Sequence, residues 1–290
     1  MNNQTTNNTA GMQAQLSASL LSRHNLSVSP AWLADFLSSS SRGPNAPLLA
    51  LTSTAQFRVL ASDIRNSLAP PAPENLLPEG VADVNVKERR LKGAVVVQVL
   101  DVIDIGSSMW SQVEAIERVE RGEKIRGREV IRSVGGAGGG EDSGGAGGPT
   151  AASMSATGDK KLTSGPHKLL VQDAKGTQVL AFELVKIPKI ALSNPASVAA
   201  PPAAANAAGN PPQQSLQVVD DPGMFIGCKL LLKPGTVVRR GVVMLTPEDS
   251  AVLGGKVEAW DRKWKAERKD RLTALIAEGD GAGAGPGGLG

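Results

Sequence analysis

The chain has no tyrosine and few aromatic residues of any kind. Its 290 residues include four Phe and four Trp, so that aromatic residues make up 3% of the sequence. Proteins that hold single-stranded nucleic acid without sequence preference commonly stack the bases on aromatic side chains. A stacking platform is therefore missing or minimal in this chain, which argues against base stacking as its main activity.

Cysteine and histidine are also scarce. The single cysteine, Cys228, excludes a disulfide within the chain and a multi-cysteine zinc site, and its apolar neighbours predict a buried, inert thiol. The two histidines, His24 and His167, are expected at the surface, and neither lies in a cluster with metal-ligand spacing. The sequence therefore predicts no catalytic residue, no metal site, no cofactor and no small-molecule substrate.

Long apolar runs are absent as well. No segment approaches the roughly 20 apolar residues needed to span a bilayer, and the polar N terminus lacks the regions of a signal peptide. We expect no membrane contact and an intracellular, reducing compartment. The net charge of +3 is mild, and the basic clusters within 87–92, 121–132 and 262–271 are mixed with acids, which favours solvated faces over a phosphate-binding surface.

Glycine, alanine and proline are abundant, and they are concentrated in a few segments. Glycine occupies nine of the fourteen residues 135–148, and residues 194–216 are rich in alanine and proline. Such segments cannot bury enough apolar surface to offset the entropy of ordering them. We predict disorder in both, in residues 1–11 and in the tail 279–290.

Residues 12–80 have the pattern of a small helical module. Ser29 and Pro30 are a typical helix start, and the apolar residues that follow recur at helical spacing. Residues 53–68 repeat this spacing and predict a second helix that ends before two prolines. The segment 16–22 predicts a third, shorter helix.

Residues 81–258 change to a pattern typical of strands. The β-branched run 93–106 predicts one long strand, and 167–188 predicts a hairpin that turns at 173–176. Residues 225–249 predict a second hairpin that turns at Pro234-Gly235, and Thr246 is a typical cap for a short helix. The fold predicted is mainly β with helical additions: a five-stranded OB-fold barrel between the helical module and a C-terminal helix at 259–278. An open meander is the competing arrangement.

Four segments resemble, in order, the N-terminal region of the RecQ-mediated genome instability protein family. They are VQVLDVIDIGSSMWSQVEAI (97–116), LLVQDAKGTQVLAFELVKIPKI (169–190), PGMFIGCKLLL (222–232) and RRGVVMLTPEDSAVLGGKVEAW (239–260). Members of that family are OB-fold subunits of RecQ helicase–topoisomerase III complexes, and the single predicted barrel resembles the short form found in fungi. The Ala/Pro segment 194–216 departs from the family pattern.

The resemblance implies a non-catalytic nuclear adaptor. Such a subunit binds a type IA topoisomerase (topoisomerase III), helps to recruit a RecQ-family helicase, and promotes decatenation and double Holliday junction dissolution in DNA replication and repair, with at most a weak DNA contact. The alternatives are a single-strand nucleic-acid-binding OB module that acts without a topoisomerase, and a related adaptor that serves a different topoisomerase.

The resemblance also locates candidate partner-binding residues. In the family the loop between the first two barrel strands is long and is thought to enter the topoisomerase gate; here it spans about 112–166, and a linker of no function is the alternative. The candidates in its N-terminal part are Trp110, Val113 and Ile116 at helical spacing, then Arg126, Arg128 and Arg132. Lys229, Arg239 and Arg240 are further candidates for interface ion pairs, unless ordinary alternation places them on a solvated face.

Overall fold

The computed structural model describes residues 2–39, 47–69, 72–121, 163, 165–192 and 223–282, with no side-chain detail for 2–10, 119 and 279–282. Within these residues the chain forms six α-helices and eight β-strands. Four helices come first, the strands follow with one helix among them, and a long helix comes last. No helix in the described ranges is long and apolar enough to cross a membrane.

The helical module consists of α1 (Asn2–His24), α2 (Pro30–Ser39), α3 (Leu48–Leu60) and α4 (Ile64–Ser67). Helix α1 is longer than predicted and begins inside the segment 1–11 that composition assigned to disorder. Once a helix is nucleated, each added residue costs little, so that weak helix formers can extend it.

The predicted second helix is divided into two. Helix α3 ends at Leu60, and Asp63 begins α4 by accepting a hydrogen bond from the backbone N–H of Arg65 at 3.0 Å. The apolar period predicted for this segment includes Phe57, Leu60, Ile64 and Leu68, but Phe57 is 73% exposed, whereas Ile64 is fully buried. Leu16, Leu20, Leu33 and Phe36 of the module form an apolar core together with Val96 and Leu231 of the sheet.

The strands form one continuous sheet in the order β1-β6-β7-β4-β3-β2-β5-β8. The long strand β2 pairs with both β3 and β5, and a bulge at Leu100 shifts its register against β3. Strands β4 and β7 form a parallel pair, whereas the other neighbours are antiparallel. The strands are β1 (Arg89–Arg90), β2 (Val95–Asp104), β3 (His167–Asp173), β4 (Gln178–Glu183), β5 (Lys229–Leu232), β6 (Val237–Arg239), β7 (Val242–Leu245) and β8 (Ser250–Gly254).

The predicted OB fold is confirmed, with eight strands in a curled sheet where five were expected. The β3–β4 hairpin turns as predicted, and Asp173 accepts from the backbone N–H groups of Lys175 and Thr177 at 3.0 and 2.8 Å. One apolar core lies under the sheet, and Cys228 is part of it, as predicted.

The second predicted hairpin is wrong in its pairing. Strands β5 and β6, which flank Pro234-Gly235, do not pair with each other: β5 pairs with β2 and β8, and β6 pairs with β1 and β7. The hairpin is instead formed by β6 and β7, which are joined by the turn Arg240-Gly241. Both turn residues have positive φ (46° and 77°). Positive φ at both positions is what the two-residue hairpin turn compatible with strand twist requires.

The short helix predicted after Thr246 is a single turn. Thr246 does cap this turn, because its Oγ1 accepts from the backbone N–H of Asp249 at 3.2 Å. The chain then enters β8, where pairing with β5 replaces further helical bonds. The remaining helices are α5 (Met109–Glu120), which follows β2, and α6 (Glu258–Ala282), which packs against α5.

Candidate partner-binding surfaces

A buried lysine joins the helical module to the sheet. Lys229 in β5 is 0% exposed, and its Nζ donates to the backbone carbonyl oxygens of Leu60 at 2.8 Å, Ser62 at 2.6 Å and Gly227 at 2.6 Å. Burial lowers the pKa of Lys229 to about 8. The α3–α4 turn also approaches closely at Gly255, where an added Cβ would lie 2.3 Å from the Leu60 carbonyl oxygen.

This geometry contradicts both interpretations of Lys229 made from the sequence. The side chain lies neither on a solvated face nor at a free surface, because β5 runs between β2 and β8 and its first residue meets the turn that follows α3. Its role in this structure is to hold two parts of the chain together.

A second polar contact supports the same junction. Gln98 in β2 is fully buried; its Oε1 accepts from the backbone N–H of Ile64 at 3.1 Å, and its Nε2 donates to Asp63 at 2.8 Å and to Gln172 at 3.1 Å. Burial raises the pKa of Asp63, but hydrogen bonds from Arg65 and Gln98 outweigh this effect and hold the pKa below its usual value. Each group at this junction has a partner, so the relative position of module and sheet is specific.

One end of the long loop is fixed by a buried histidine. His167 at the start of β3 is 0% exposed; its Nδ1 lies 2.6 Å from Oε2 of Glu183 in β4, and its Nε2 lies 2.7 Å from Oγ1 of Thr163. Thr163 Oγ1 also accepts from the backbone N–H of Leu192 at 2.9 Å. The prediction of a surface histidine is wrong, because β3 is an interior strand and its first residue packs against the end of β4.

The other end of the loop is fixed by α5. Gln112 is 7% exposed, and its Nε2 donates to the carbonyl oxygens of Asp104 at 2.8 Å and Ser107 at 3.1 Å. Lys269 of α6 pairs with Glu117 and Glu120 near the end of α5, at 3.4 and 2.6 Å. The loop of about 112–166 therefore begins with a packed helix.

The three candidates on α5 do not share one face. Val113 is 6% exposed and Ile116 is half-buried, whereas Trp110 is 64% exposed. Residues six apart on an α-helix differ by about 120° around its axis, so spacing of three does not keep all three residues together. Trp110 alone of them presents a large apolar side chain to solvent. Arg126, Arg128 and Arg132 lie outside the described residues.

Arg239 and Arg240 meet the earlier basic run at one edge of the sheet. Arg239 is exposed and its Nε donates to Glu88 Oε2 at 3.0 Å, and Arg240 is exposed in the β6–β7 turn. Strand β1 pairs with β6 here, which brings together the basic side chains of two distant segments. The members of this basic edge are Lys87, Arg89, Arg90, Lys92, Arg239 and Arg240.

The outer side of the sheet has an unusual apolar surface. On the side of β3, β4 and β7 that faces away from the core, Leu170, Leu180 and Val242 are register partners in one row. Phe182 and Met244 are partners in the next row, whose member on β3 is Lys168. The five apolar residues are half-buried or exposed, and Leu180 is 38% exposed. A solvated sheet face normally carries polar residues, so we call these five residues the apolar outer face.

The described residues offer no reactive centre. They contain no group of three or more His, Cys, Asp or Glu side chains that could hold a metal ion. Burial raises the pKa of Cys228 to about 11, which makes its thiol a poor nucleophile at neutral pH. A hydroxyl, an imidazole and a carboxyl group do lie in contact, in Thr163, His167 and Glu183. The imidazole and the carboxyl group are fully or almost fully buried, however, and the Thr163 hydroxyl oxygen already accepts a hydrogen bond from a backbone N–H.

Comparison with known proteins identifies the family. A family model described as "RMI1, N-terminal OB-fold domain" matches residues 77–197 and 213–268. A second, described as "RMI1, N-terminal helical domain", matches residues 20–67. The chain belongs to the RMI1 family. Among curated proteins, the RecQ-mediated genome instability protein 1 of Schizosaccharomyces pombe is 28% identical over 213 residues, which cover 72% of this chain and 74% of that protein.

The RMI1 match covers both parts of the Lys229 junction. The helical match includes Leu60 and Ser62, and the OB-fold match includes Gln98 and Lys229. It leaves out residues 198–212, which lie within the Ala/Pro segment predicted to depart from the family pattern.

The buried polar contacts of this RMI1-family chain were missed from the sequence. The residues next to Lys229 and His167 in the sequence do not indicate which groups these side chains contact. Some of the partners lie up to 169 positions away, and others are backbone carbonyl groups, which every residue has. The apolar outer face did leave a signal. The strands KLLV and VLAF have few polar residues, and a strand that is apolar on both sides indicates a sheet covered on both sides.

Proposed function

We propose that this chain is a non-catalytic adaptor of a RecQ helicase–topoisomerase III complex. It binds the topoisomerase, helps to recruit the helicase, and promotes decatenation and dissolution of recombination intermediates in the nucleus. Membership of the RMI1 family and the name of the fission yeast relative support a role in the RecQ pathway.

The apolar outer face is the observation that carries the proposal, because it fits a protein partner. Interface cores are apolar and depleted of charge, and Leu180 and Phe182 occupy the middle strand of this face. Burying one such side chain stabilises a complex by roughly 1.5–3 kcal/mol. Two exposed apolar residues that follow β4, Leu184 and Val185, extend the surface at 53% and 52% exposure.

The loop ends support the second part of the proposal. Thr163, His167 and Glu183 fix one end of the long loop, and Gln112 with α5 fixes the other. The middle of this loop, residues 122–162, lies outside the described residues. In a topoisomerase complex we assign that middle to the gate through which DNA strands pass.

The nucleic-acid-binding alternative has less support. Within the described residues Phe182 is the only aromatic side chain of the outer face, and Phe225 lies under Lys256 and Lys265, each 4.9 Å from its ring centroid. Base stacking needs accessible aromatic faces. The basic edge fits a weak, sequence-independent contact with phosphates, which is compatible with an adaptor that works beside DNA.

The proposal is tested by measuring binding to the topoisomerase III of the same organism. We expect Leu180→Lys combined with Phe182→Ser to weaken binding by about tenfold or more, the loss typical of a central interface residue. Phe57→Ser is the control, because it removes an exposed aromatic side chain from the helical module. Equal binding by all three proteins would refute the role of the apolar outer face.

A further inference from the structure

A cavity lies between the second half of β2 and the two helices α5 and α6. It has a volume of about 330 Å³, which is at the lower end for ligand pockets. Most of its lining is apolar and comes from β2 and α6: Val102, Ile103, Trp264, Leu272, Ala274 and Leu275. Leu275 is 37% exposed at this site, so the cavity is open to solvent.

Two guanidinium groups also line the cavity. The Cζ atoms of Arg268 and Arg271 lie 5.4 and 5.3 Å from the ring centroid of Trp264. Arg271 pairs with Asp101 at 3.2 Å, but its Nε is buried and has no hydrogen-bond partner among the described residues. Within the described part of the chain, Arg271 therefore still has one N–H donor without an acceptor.

Arg268 is the less compensated of the two cations. Within the described part of the chain its contacts are the Trp264 ring and Gln112 Oε1, which is 3.4 Å from its NH2 group, and no carboxylate lies within ion-pair distance. Burial lowers the pKa of Arg268, with Asp104 and Asp101 acting against that shift from a greater distance. The cavity therefore holds two cations against one contacting carboxylate, Asp101.

Burying a cation removes water from around it, which costs free energy unless an anion takes the place of that water. A carboxylate between the two guanidinium groups would accept charge-assisted hydrogen bonds, which are about twice as strong as neutral ones. The apolar lining beside it would take a large apolar side chain. Both features belong to one kind of ligand, an acidic residue next to apolar residues in a peptide.

We propose that this cavity binds a short segment of a partner protein in which an Asp or Glu is flanked by large apolar residues. The carboxylate lies between Arg268 and Arg271, and an apolar side chain lies against Trp264 and Leu272. A nucleic acid fits less well, because Asp101 repels a continuous polyanion and the guanidinium groups lie over the Trp264 ring where a base would stack. The site does not depend on topoisomerase binding.

The test uses the full chain and two synthetic peptides, acetyl-Leu-Glu-Leu-Phe-amide and its counterpart with Gln in place of Glu. Binding is followed by the indole N–H signal of Trp264 in NMR spectra, assigned with Trp264→Phe, while exposed Trp110 serves as an internal reference. We expect the Glu peptide to shift the Trp264 signal and the Gln peptide to bind about tenfold or more weakly, since a hydrogen bond to a charged group contributes that much.

Substitution of the arginine tests the same assignment from the protein side. Arg268→Gln should weaken binding of the Glu peptide by about tenfold and bring the two peptides to similar affinity. Arg262→Gln is the matched control, since Arg262 lies on the same helix with a side chain that is 79% exposed. The proposal is overturned if millimolar Glu peptide leaves the Trp264 signal unchanged, if both peptides bind wild-type protein equally, or if a thymidine oligonucleotide gives the same shift.

Discussion

Replacing Lys229 with methionine removes one of the two polar contacts described between the helical module and the sheet, while keeping an unbranched side chain. The Lys229 side chain donates to three carbonyl oxygens at 2.6–2.8 Å. Methionine leaves these oxygens without a donor, at a cost of about 1–3 kcal/mol each, which gives about 6 kcal/mol for three. Burial opposes this: the pKa falls from 10.5 to about 8, and a shift of that size costs about 3 kcal/mol at neutral pH. We therefore expect Lys229→Met to lower the free energy of unfolding by about 3 kcal/mol at pH 7.

The pH dependence of this loss has a definite sign. The unfolded chain holds the lysine proton up to about pH 10.4, whereas the folded chain releases it near pH 8. Between these values the unfolded state binds more protons, so the stability of the wild-type protein rises with pH. Lys229→Met lacks that rise, so the difference between the two proteins should be larger at pH 10 than at pH 7, by about 2 kcal/mol.

Urea unfolding of both proteins at pH 7 and pH 10 measures these values. Lys263→Met is the control, because Lys263 has a side chain that is 74% exposed and only a long contact of 3.9 Å with Glu267. Lys263→Met should change the free energy of unfolding by no more than about 0.5 kcal/mol at either pH. A loss below about 1 kcal/mol for Lys229→Met, unchanged between pH 7 and pH 10, would refute the account of the buried lysine.

Four further substitutions test other parts of the structure by the same unfolding measurement. His167→Ala should cost about 2–4 kcal/mol, because it leaves a cavity and removes a partner of buried Glu183; an effect near zero would contradict the fixed loop end. Arg240→Asn should stabilise by about 0.5–1 kcal/mol, because asparagine tolerates positive φ better than arginine, and a loss would show that the arginine side chain has a structural role. Val113→Asp should cost more than about 2 kcal/mol and Trp110→Ala less than about 0.5 kcal/mol; similar costs would contradict the orientation of α5.

The local features of the fold could be predicted from the sequence. The apolar period of the helices, the β-branched run of β2 and the turn at Asp173 depend on neighbours in the chain, and all were found. The pairing of β5 and β6 could not be inferred in this way. Pro234-Gly235 is a proper turn, but the strands on its two sides join different neighbours, and that choice depends on contacts with β2 and β1 that are distant in sequence.

The candidate site was less predictable than the fold, for a physical reason. A lysine in an apolar strand is normally an alternating, solvated residue, and only the position of the α3–α4 turn shows that Lys229 has three carbonyl partners. His167 is similar, since Glu183 lies opposite it only after β3 and β4 have paired. The apolar outer face, in contrast, depends on composition within β3, β4 and β7, so a residue-by-residue count of both strand faces would have found it.

Decatenation of single-strand-linked DNA circles by the topoisomerase III of the same organism tests the central proposal most directly. The intact chain is compared with one in which residues 134–158 are replaced by a short Gly-Ser link, and with a control in which they are replaced by a Gly-Ser segment of equal length. Both changes leave Thr163, His167 and α5 in place, so the loop ends stay fixed. The account predicts that the shortened chain binds the topoisomerase with unchanged affinity but no longer stimulates decatenation. If the intact chain neither binds the topoisomerase nor stimulates it, the adaptor function is contradicted.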